Sequence, residues 1–250
     1  MTASADNSSS ALERLRDALR PTAEEVPAAR VSTGAAELDR LLPGGGLARG
    51  GLVEWLSSGL GAGAATLAWI VAREACEARG AVVVIDRRGE FYPPAATAWG
   101  VSCPRIVLVR TRTDEDALWA IEQALRCRGV AAVWGALPRV DDIGQRRLQL
   151  AAESGGTLGL FLRSIAARGQ PSWADVQFGV EPRPARTDES RRLRVEVLRC
   201  RGGTAGAVVE LELDAKNGAL CLASDRHESP VLSPSATVSR AARSRRAAGA

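Results

Sequence analysis

Unbroken apolar runs alternate along the chain with segments of mixed polarity. The apolar runs predict strands buried on both faces of a sheet, and they cover 52–56, 81–86, 105–110, 130–135 and 157–163. The segments between them predict helices over 65–79, 114–127 and 141–153. Repeated strand–helix units predict an α/β fold whose mostly parallel, twisted sheet is flanked by helices.

The pattern changes after residue 170. Three stretches alternate apolar and polar residues without a long helix between them: ADVQFGV at 174–180, RLRVEVLR at 192–199 and AVVELEL at 207–213. Turns rich in Gly or Pro join them. We therefore expect antiparallel strands that extend the sheet at its C-terminal edge.

The two ends of the chain differ from the body in composition. Residues 1–9 are small and polar, and Leu12, Leu15 and Leu19 then fall at helical spacing before Pro21. This predicts a disordered start, a short amphipathic helix and a linker within 1–30. The linker would allow the helix to dock on the body or on a partner.

The C-terminal segment is predicted to be a disordered basic tail over 224–250, which leaves 31–223 as the folded domain. Within the tail, residues 226–250 contain five arginines and one glutamate, a net charge of +4 that equals the net charge of the whole chain. The candidate tail contacts are Arg240, Arg243, Arg245 and Arg246. A solubilising tail, a protein-docking tail and a weak, non-specific, salt-sensitive DNA contact are the three interpretations.

Composition narrows the chemistry that the chain could perform. Of the 33 basic side chains only Lys216 is a lysine, and the single histidine, His227, lies in the tail. Schiff-base chemistry, histidine acid–base catalysis and histidine-rich metal sites are therefore not expected. The five cysteines form no C-x-x-C pair, which favours a cytoplasmic protein without zinc or disulfides. The chain contains neither a signal sequence nor an apolar run of roughly 18 residues, so no membrane contact is expected.

The segment VEWLSSGLGAGAATLA at 53–68 puts a glycine-rich loop between a strand and a helix. A phosphate-binding loop of the form G-x-x-x-x-G-K-[ST] would lie at this point. If Gly59 is the first glycine, Ala64 and Ala65 replace the second glycine and the lysine, while Thr66 keeps the hydroxyl group. The glycines of the loop are Gly59, Gly61 and Gly63.

The alternative register takes Gly63 as the second glycine. Ser58 then holds the first position, and Ala64 and Ala65 replace the lysine and the hydroxyl residue. In both registers a methyl group stands where a lysine would offset the charge on a transferred phosphoryl group. The pattern favours a simple strand–helix turn, over weak phosphate or sulfate binding at the helix N-terminus and over ATP hydrolysis.

The chain resembles RecA-type recombinases from residue 31 to about residue 222. The most specific likeness is the lead-in segment VSTGAAELDRLLPGGGLARGGLVEWL, which matches an S-T-G…L-D…G-G-(L)-x-x-G…V-E pattern. The matching residues are Ser32, Thr33, Gly34, Leu38, Asp39, Gly45, Gly46, Gly50, Val53 and Glu54. This resemblance implies a RecA-like core.

The positions at which the recombinase family carries out ATP chemistry are changed. AVVVID keeps the strand-terminal Asp86, but Arg88 stands at the position of the family's catalytic Glu. Gly135 replaces the aspartate that organises Mg²⁺, and Arg163 replaces the nucleotide-sensing Gln. These changes imply a non-enzymatic chain without catalytic residues, ATP or metal. Arg87 and Arg88 then form either a solvated charge cluster or a pair with Asp86 in the former phosphate space.

A RecA-like body without ATP chemistry, carrying a short N-terminal helix and a basic tail, resembles the ImuA family of bacterial accessory proteins. The resemblance implies damage-induced mutagenic translesion synthesis within the SOS response, with association to the nucleoid during DNA damage. The implied partners are an ImuB-like Y-family polymerase homologue, RecA and the error-prone polymerase. The alternatives are a cell-division inhibitor of the SulA type and a weak RecA-like ATPase or DNA-binding protein.

Two further sets of residues are candidates for contacts. Arg199 and Arg201 resemble the recombinase family's basic pair at the face between subunits. The leucines of the N-terminal helix form the second set, which is apolar. The six tryptophans are expected mainly in the core, with a minority as interface anchors. Phe91, Tyr92 and Trp99 are predicted to form an exposed aromatic patch.

Overall fold

A computed structural model describes residues 29–59, 61–78, 80–185, 190–214 and 218–223. The predicted N-terminal helix with Leu12, Leu15 and Leu19 lies outside these residues. The basic tail with its four candidate arginines also lies outside them.

The strands of the described residues, in chain order, are β1 (Arg30–Val31), β2 (Leu47–Ala48), β3 (Leu52–Ser57), β4 (Ala81–Asp86), β5 (Ile106–Arg110), β6 (Val130–Ala136), β7 (Leu158–Ser164), β8 (Val176–Arg183), β9 (Ser190–Cys200), β10 (Val208–Asp214) and β11 (Leu220–Leu222). The helices are α1 (Ala36–Asp39), α2 (Ala64–Ala78), α3 (Pro93–Ala98), α4 (Asp114–Arg126) and α5 (Asp142–Gly155). Two short 3₁₀ turns cover Cys103–Arg105 and Ile165–Ala167. No helix among the described residues is long and apolar enough to cross a membrane.

One large sheet joins nine of these strands in the order β11-β10-β9-β8-β3-β7-β6-β4-β5. The strands from β8 to β5 are parallel to their neighbours, and β9, β10 and β11 run antiparallel at the other end. The short strands β1 and β2 pair separately. The predicted α/β class, the mostly parallel sheet and the antiparallel extension are confirmed, and the architecture is that of a RecA-like core.

The direction of β8 differs from the prediction. This strand was expected to be antiparallel, but it runs parallel to β3 and is antiparallel only to β9. Its alternating pattern has another cause, because Val176 and Phe178 face the apolar core while Gln177 faces a polar layer on the other side. The alternation of apolar and polar residues indicates which face of a strand is apolar, but it does not indicate the direction of the strand.

Helices cover both faces of the sheet and divide the core in two. On one face α2 packs with α1, and Leu67 and Trp55 belong to its apolar cluster. On the other face α4 and α5 supply Ile121, Leu125 and Leu148 to a second cluster. The apolar stripe of α4 faces inward, with Ala117, Ile121 and Leu125 buried.

The ends of α4 and α5 are set by local capping. Thr113 accepts a hydrogen bond from the N–H of Asp116 at 3.0 Å, and Asp141 accepts one from the N–H of Gly144 at 2.8 Å. Both are N-cap contacts that satisfy backbone donors without a partner inside the helix. Helix α5 ends at Gly155 and is followed by Gly156, whose φ of 64° is the left-handed conformation that glycine adopts readily.

The predicted aromatic patch is largely wrong. Phe91 and Trp99 pack against the core, and of the three residues only Tyr92 is exposed, with 67% of its surface accessible. The reason is α3, which was not predicted: its buried Ala96 turns this segment back onto the sheet. Two tryptophans of the described residues are exposed instead: Trp119 on α4, at 65%, and Trp173, at 39%.

Candidate functional site

The predicted site residues meet at one edge of the sheet. The glycine-rich loop follows β3, Arg163 is near the end of β7, Gly135 is near the end of β6, and Asp86 ends β4. These four strands are consecutive neighbours and parallel, so their carboxyl ends lie side by side. In open α/β sheets this edge is the usual position of ligand sites.

The loop after β3 is built as a strand–helix turn. Gly59, Gly61 and Gly63 all have positive φ angles of 152°, 80° and 94°. The N–H of Ala62 donates to the carbonyl of Gly59 at 3.4 Å, and the N–H of Leu67 donates to the carbonyl of Gly63 at 3.0 Å. These contacts lead the chain from the buried strand into α2.

Gly63 is held by packing as well as by its backbone angle. A Cβ atom at this position would lie 2.5 Å from Cδ2 of Leu193 on β9, whereas a Cβ at Gly59 or Gly61 would meet nothing within 4 Å. The helix begins directly afterwards, with the methyl group of Ala64 buried and that of Ala65 exposed. An apolar strand residue therefore lies against the end of the loop.

Asp86 organises the backbone that follows β4. Its carboxylate accepts hydrogen bonds from the N–H groups of Glu90 at 3.0 Å and of Phe91 at 3.2 Å. Of the two arginines in between, Arg87 forms an ion pair with Asp114, and Arg88 is exposed. A pair between Asp86 and an arginine, one of the two expected arrangements, is not what the structure contains. The carboxylate instead binds backbone N–H groups of the loop that follows it.

Gly135 marks a close approach between β6 and β4. A Cβ atom at this position would lie 2.8 Å from the carbonyl oxygen of Ile85. Atoms at that distance must shift, so an aspartate could not be placed here without moving β4. The glycine is therefore a packing residue as well as a departure from the recombinase pattern.

Three aromatic rings pack together beside this edge. Trp69 of α2 stacks on Trp134 of β6 with ring centroids 4.7 Å apart, and Phe91 lies 5.7 Å from Trp69 and 6.3 Å from Trp134. The indole N–H of Trp134 is buried and has no hydrogen-bond partner among the described residues. The cluster joins α2, the end of β6 and the loop after β4 in one apolar contact.

Arg163 pairs with a buried carboxylate. Its Nη1 lies 3.0 Å from each oxygen of Glu54 on the neighbouring strand β3, and the amide of Gln177 on β8 donates to the same carboxylate at 2.6 Å. The Glu54 side chain is 3% exposed and the Arg163 side chain 18% exposed. Because one carboxylate receives donors from both neighbouring strands, this group ties β8, β3 and β7 together.

Sequence reasoning identified Glu54 and Arg163 but not their pairing, and it missed Gln177. Opposite charges in apolar strands were the available signal. The pairing itself depends on the register between β3 and β7, which puts Glu54 opposite Phe161 and Leu56 opposite Arg163.

The matching lead-in residues have structural roles. Asp39 of α1 accepts hydrogen bonds from Ser32 Oγ at 2.6 Å, Thr33 Oγ1 at 2.7 Å and the Thr33 N–H at 2.8 Å. Gly34 has φ of 82°, and a Cβ there would lie 2.4 Å from Ile70 of α2. The S-T-G…L-D pattern therefore closes a tight loop against α2.

The candidate basic pair lies at the end of β9. The guanidinium group of Arg199 donates to the carbonyl of Ser172, and Arg201 forms an ion pair with Asp175 at 3.4 Å. The Arg201 side chain remains 62% exposed. Among the described residues no cluster of three His, Cys, Asp or Glu side chains could hold a metal ion.

Comparison with known proteins identifies two relatives. The chain is 32% identical over 213 residues to Protein ImuA of Caulobacter vibrioides strain NA1000, and the match covers 77% of this chain and 87% of that protein. Protein ImuA of Caulobacter vibrioides strain CB 15 matches with the same identity and coverage. No protein-family profile matches the chain.

Proposed function

The chain belongs to the ImuA family, and we propose that it is a non-catalytic accessory protein of damage-induced mutagenic translesion synthesis. In this proposal it acts through protein–protein contacts in the SOS response. The partners are an ImuB-like polymerase homologue, RecA and the error-prone polymerase. The site of action is the cytoplasm, at the nucleoid during DNA damage.

The pairing of Arg163 with Glu54 carries the non-catalytic part of the proposal. Arg163, the side chain at the nucleotide-sensing position, is bound at 3.0 Å to a buried carboxylate. It therefore links two strands of the sheet and is not free to contact a nucleotide. Asp86 is bound by backbone N–H groups, and Gly135 has no space for a carboxylate. Phosphoryl transfer depends on charge-offsetting groups at such positions.

Isothermal titration with Mg-ATP tests this part. We expect no saturable binding tighter than about 100 μM, an affinity well below that of a working nucleotide site. Arg88→Glu is a useful companion variant. It is not expected to restore hydrolysis, because the lysine and the Mg²⁺-organising aspartate remain absent. Saturable binding in the micromolar range, or turnover of ATP, would overturn the non-catalytic proposal.

The contact surfaces that we propose are the end of β9 and the basic tail. Arg201 offers an exposed guanidinium group whose ion pair with Asp175 is long, at 3.4 Å. Exposed ion pairs contribute little to stability, so Arg201 can exchange its partner at small cost. Residues 226–250 of the tail carry a net charge of +4, equal to that of the whole chain, and this charge suits an acidic surface on a partner.

Co-purification experiments test these surfaces. Arg201→Glu is expected to weaken co-purification with RecA, whereas Arg110→Glu, an exposed arginine at the opposite edge of the sheet, is the matched control. Deletion of 224–250 is expected to reduce capture of the ImuB-like protein, and replacement of the four tail arginines by glutamine separates charge from length. Undiminished capture by the deleted chain would exclude the tail as the docking site.

A further inference from the structure

A groove between α4 and α5 has the features of a docking site. It encloses about 530 Å³, and its walls include Leu118, Trp119 and Leu148. Trp119 is 65% exposed, and Ile143 at the start of α5 is exposed as well. A tryptophan normally buries most of its ring, because the area is large and apolar. This face of the helix pair therefore lacks an apolar cover among the described residues.

The groove carries more negative than positive groups. Four carboxylates and two guanidinium groups line it: Asp114, Glu115, Glu122 and Asp141, with Arg139 and Arg147. Glu122 pairs with both Arg126 and Arg147, and Asp114 pairs with Arg87, so Glu115 and Asp141 are the carboxylates of the groove that remain beside Arg139. An apolar stripe flanked by arginines would match both the apolar walls and the charge.

The described part of the chain begins close to this helix pair. The carbonyl of Ala29 accepts a hydrogen bond from the N–H of Arg49 at 3.0 Å. The next residue, Gly50, abuts α5, because a Cβ there would lie 3.0 Å from the carbonyl oxygen of Ala152. The described residues therefore begin, at Ala29, near the C-terminal half of α5.

The sequence before Ala29 has the length and the pattern to reach the groove. The linker 21–28 has eight residues, which span up to about 28 Å when extended. Helix α5 has 14 residues and is about 21 Å long, so the whole groove lies within reach. The segment 11–20 carries its three leucines at helical spacing, and its three arginines outnumber Glu13 and Asp17, which gives a net charge of +1.

We propose that residues 11–20 dock as a third helix in the α4–α5 groove of the same chain. The leucine stripe covers Trp119 and Leu118, and the arginines face the carboxylates of the rim. This inference goes beyond the proposed function and is measured on the isolated chain, so it stands or fails independently of ImuB-like or RecA partners.

Fluorine NMR of the full chain labelled with 5-fluorotryptophan provides the test. The six tryptophans give separate signals, and Trp119→Phe identifies the signal of Trp119. We expect the Trp119 signal to show only a small shift between H₂O and D₂O. In Leu15→Gln it should move and acquire the full solvent shift of an exposed ring. Asp17→Gln, on the opposite side of the same helix, is the matched control and should leave the signal unchanged.

The remaining five tryptophan signals report whether the body stays folded in each variant. A Trp119 signal that is fully solvent-sensitive in the unsubstituted chain, or that Leu15→Gln leaves unchanged, would overturn the proposal. A Trp119 signal that becomes exposed on dilution would assign the groove to a second copy of the chain and would also overturn it. An unchanged covered signal across a hundredfold dilution, lost in Leu15→Gln, supports docking within one chain.

Discussion

The pairing of Arg163 with Glu54 leads to a quantitative prediction. Arg163→Gln restores the residue type of the recombinase pattern, but it removes both 3.0 Å contacts to a carboxylate that is 3% exposed. Removal of one partner from a buried ion pair costs about 3–5 kcal/mol, because a buried charge is left without its partner. The hydrogen bond from Gln177 remains, and Arg163 itself is 18% exposed, so we expect the lower end, about 3 kcal/mol.

Urea unfolding followed by far-ultraviolet circular dichroism measures this loss. Arg168→Gln is the matched control, because its ion pair with Glu196 leaves the arginine 51% exposed and should contribute at most about 1 kcal/mol. In a Glu54→Gln background the cost of Arg163→Gln should fall below about 1 kcal/mol, since no buried charge remains to be stranded. Equal losses for Arg163→Gln and Arg168→Gln would refute the reasoning. Binding of Mg-ATP by Arg163→Gln would refute the structural role of Arg163.

Three further predictions follow from other contacts. Asp39→Asn should lower the free energy of unfolding by about 2 kcal/mol in thermal melts, because the carboxylate accepts three hydrogen bonds from the lead-in loop. The hydrogen bond from Arg168 holds the pKa of the Glu196 carboxyl below its usual range, so this carboxylate stabilises the fold above about pH 4.3. The stability difference between Glu196→Gln and the unsubstituted chain should therefore begin to shrink in urea titrations below that pH and be lost as the pH falls through the lowered pKa of Glu196. Burial raises the pKa of the Cys76 and Cys200 thiols, so a native thiol titration at pH 8 should detect only three rapidly reacting cysteines, and all five should react in denaturant.

Local patterns predicted most of the elements because they depend on neighbours within a few residues. The run AVVVID became β4 with the predicted bounds, and α2 covers Ala64–Ala78 where 65–79 was expected. The direction of β8 was wrong, since alternation describes the two faces of a strand and not its neighbour. The exposed position of Trp119 was also missed, because helical spacing alone does not state which apolar residue remains outside the core.

The candidate site was also predictable only in part. Its location could be predicted, because a glycine-rich turn between a strand and a helix is a local motif and the ends of neighbouring parallel strands converge. The role of each side chain at the site could not be predicted from the sequence. Gly135 became a packing residue through the approach of β4, and Asp86 became a loop anchor through the path of residues 87–91.

The sequence by itself determined the order of strands and helices, the lead-in motif, the loss of the lysine and the concentration of positive charge in the tail. These features are properties of short segments, so no tertiary contact is needed to state them. Only the tertiary structure decided that Arg163 lies against Glu54, because 109 residues separate them and the contact exists only in the register of β3 with β7. Burial makes the contact important for stability, because a buried charge that has left water is costly unless an opposite charge lies beside it.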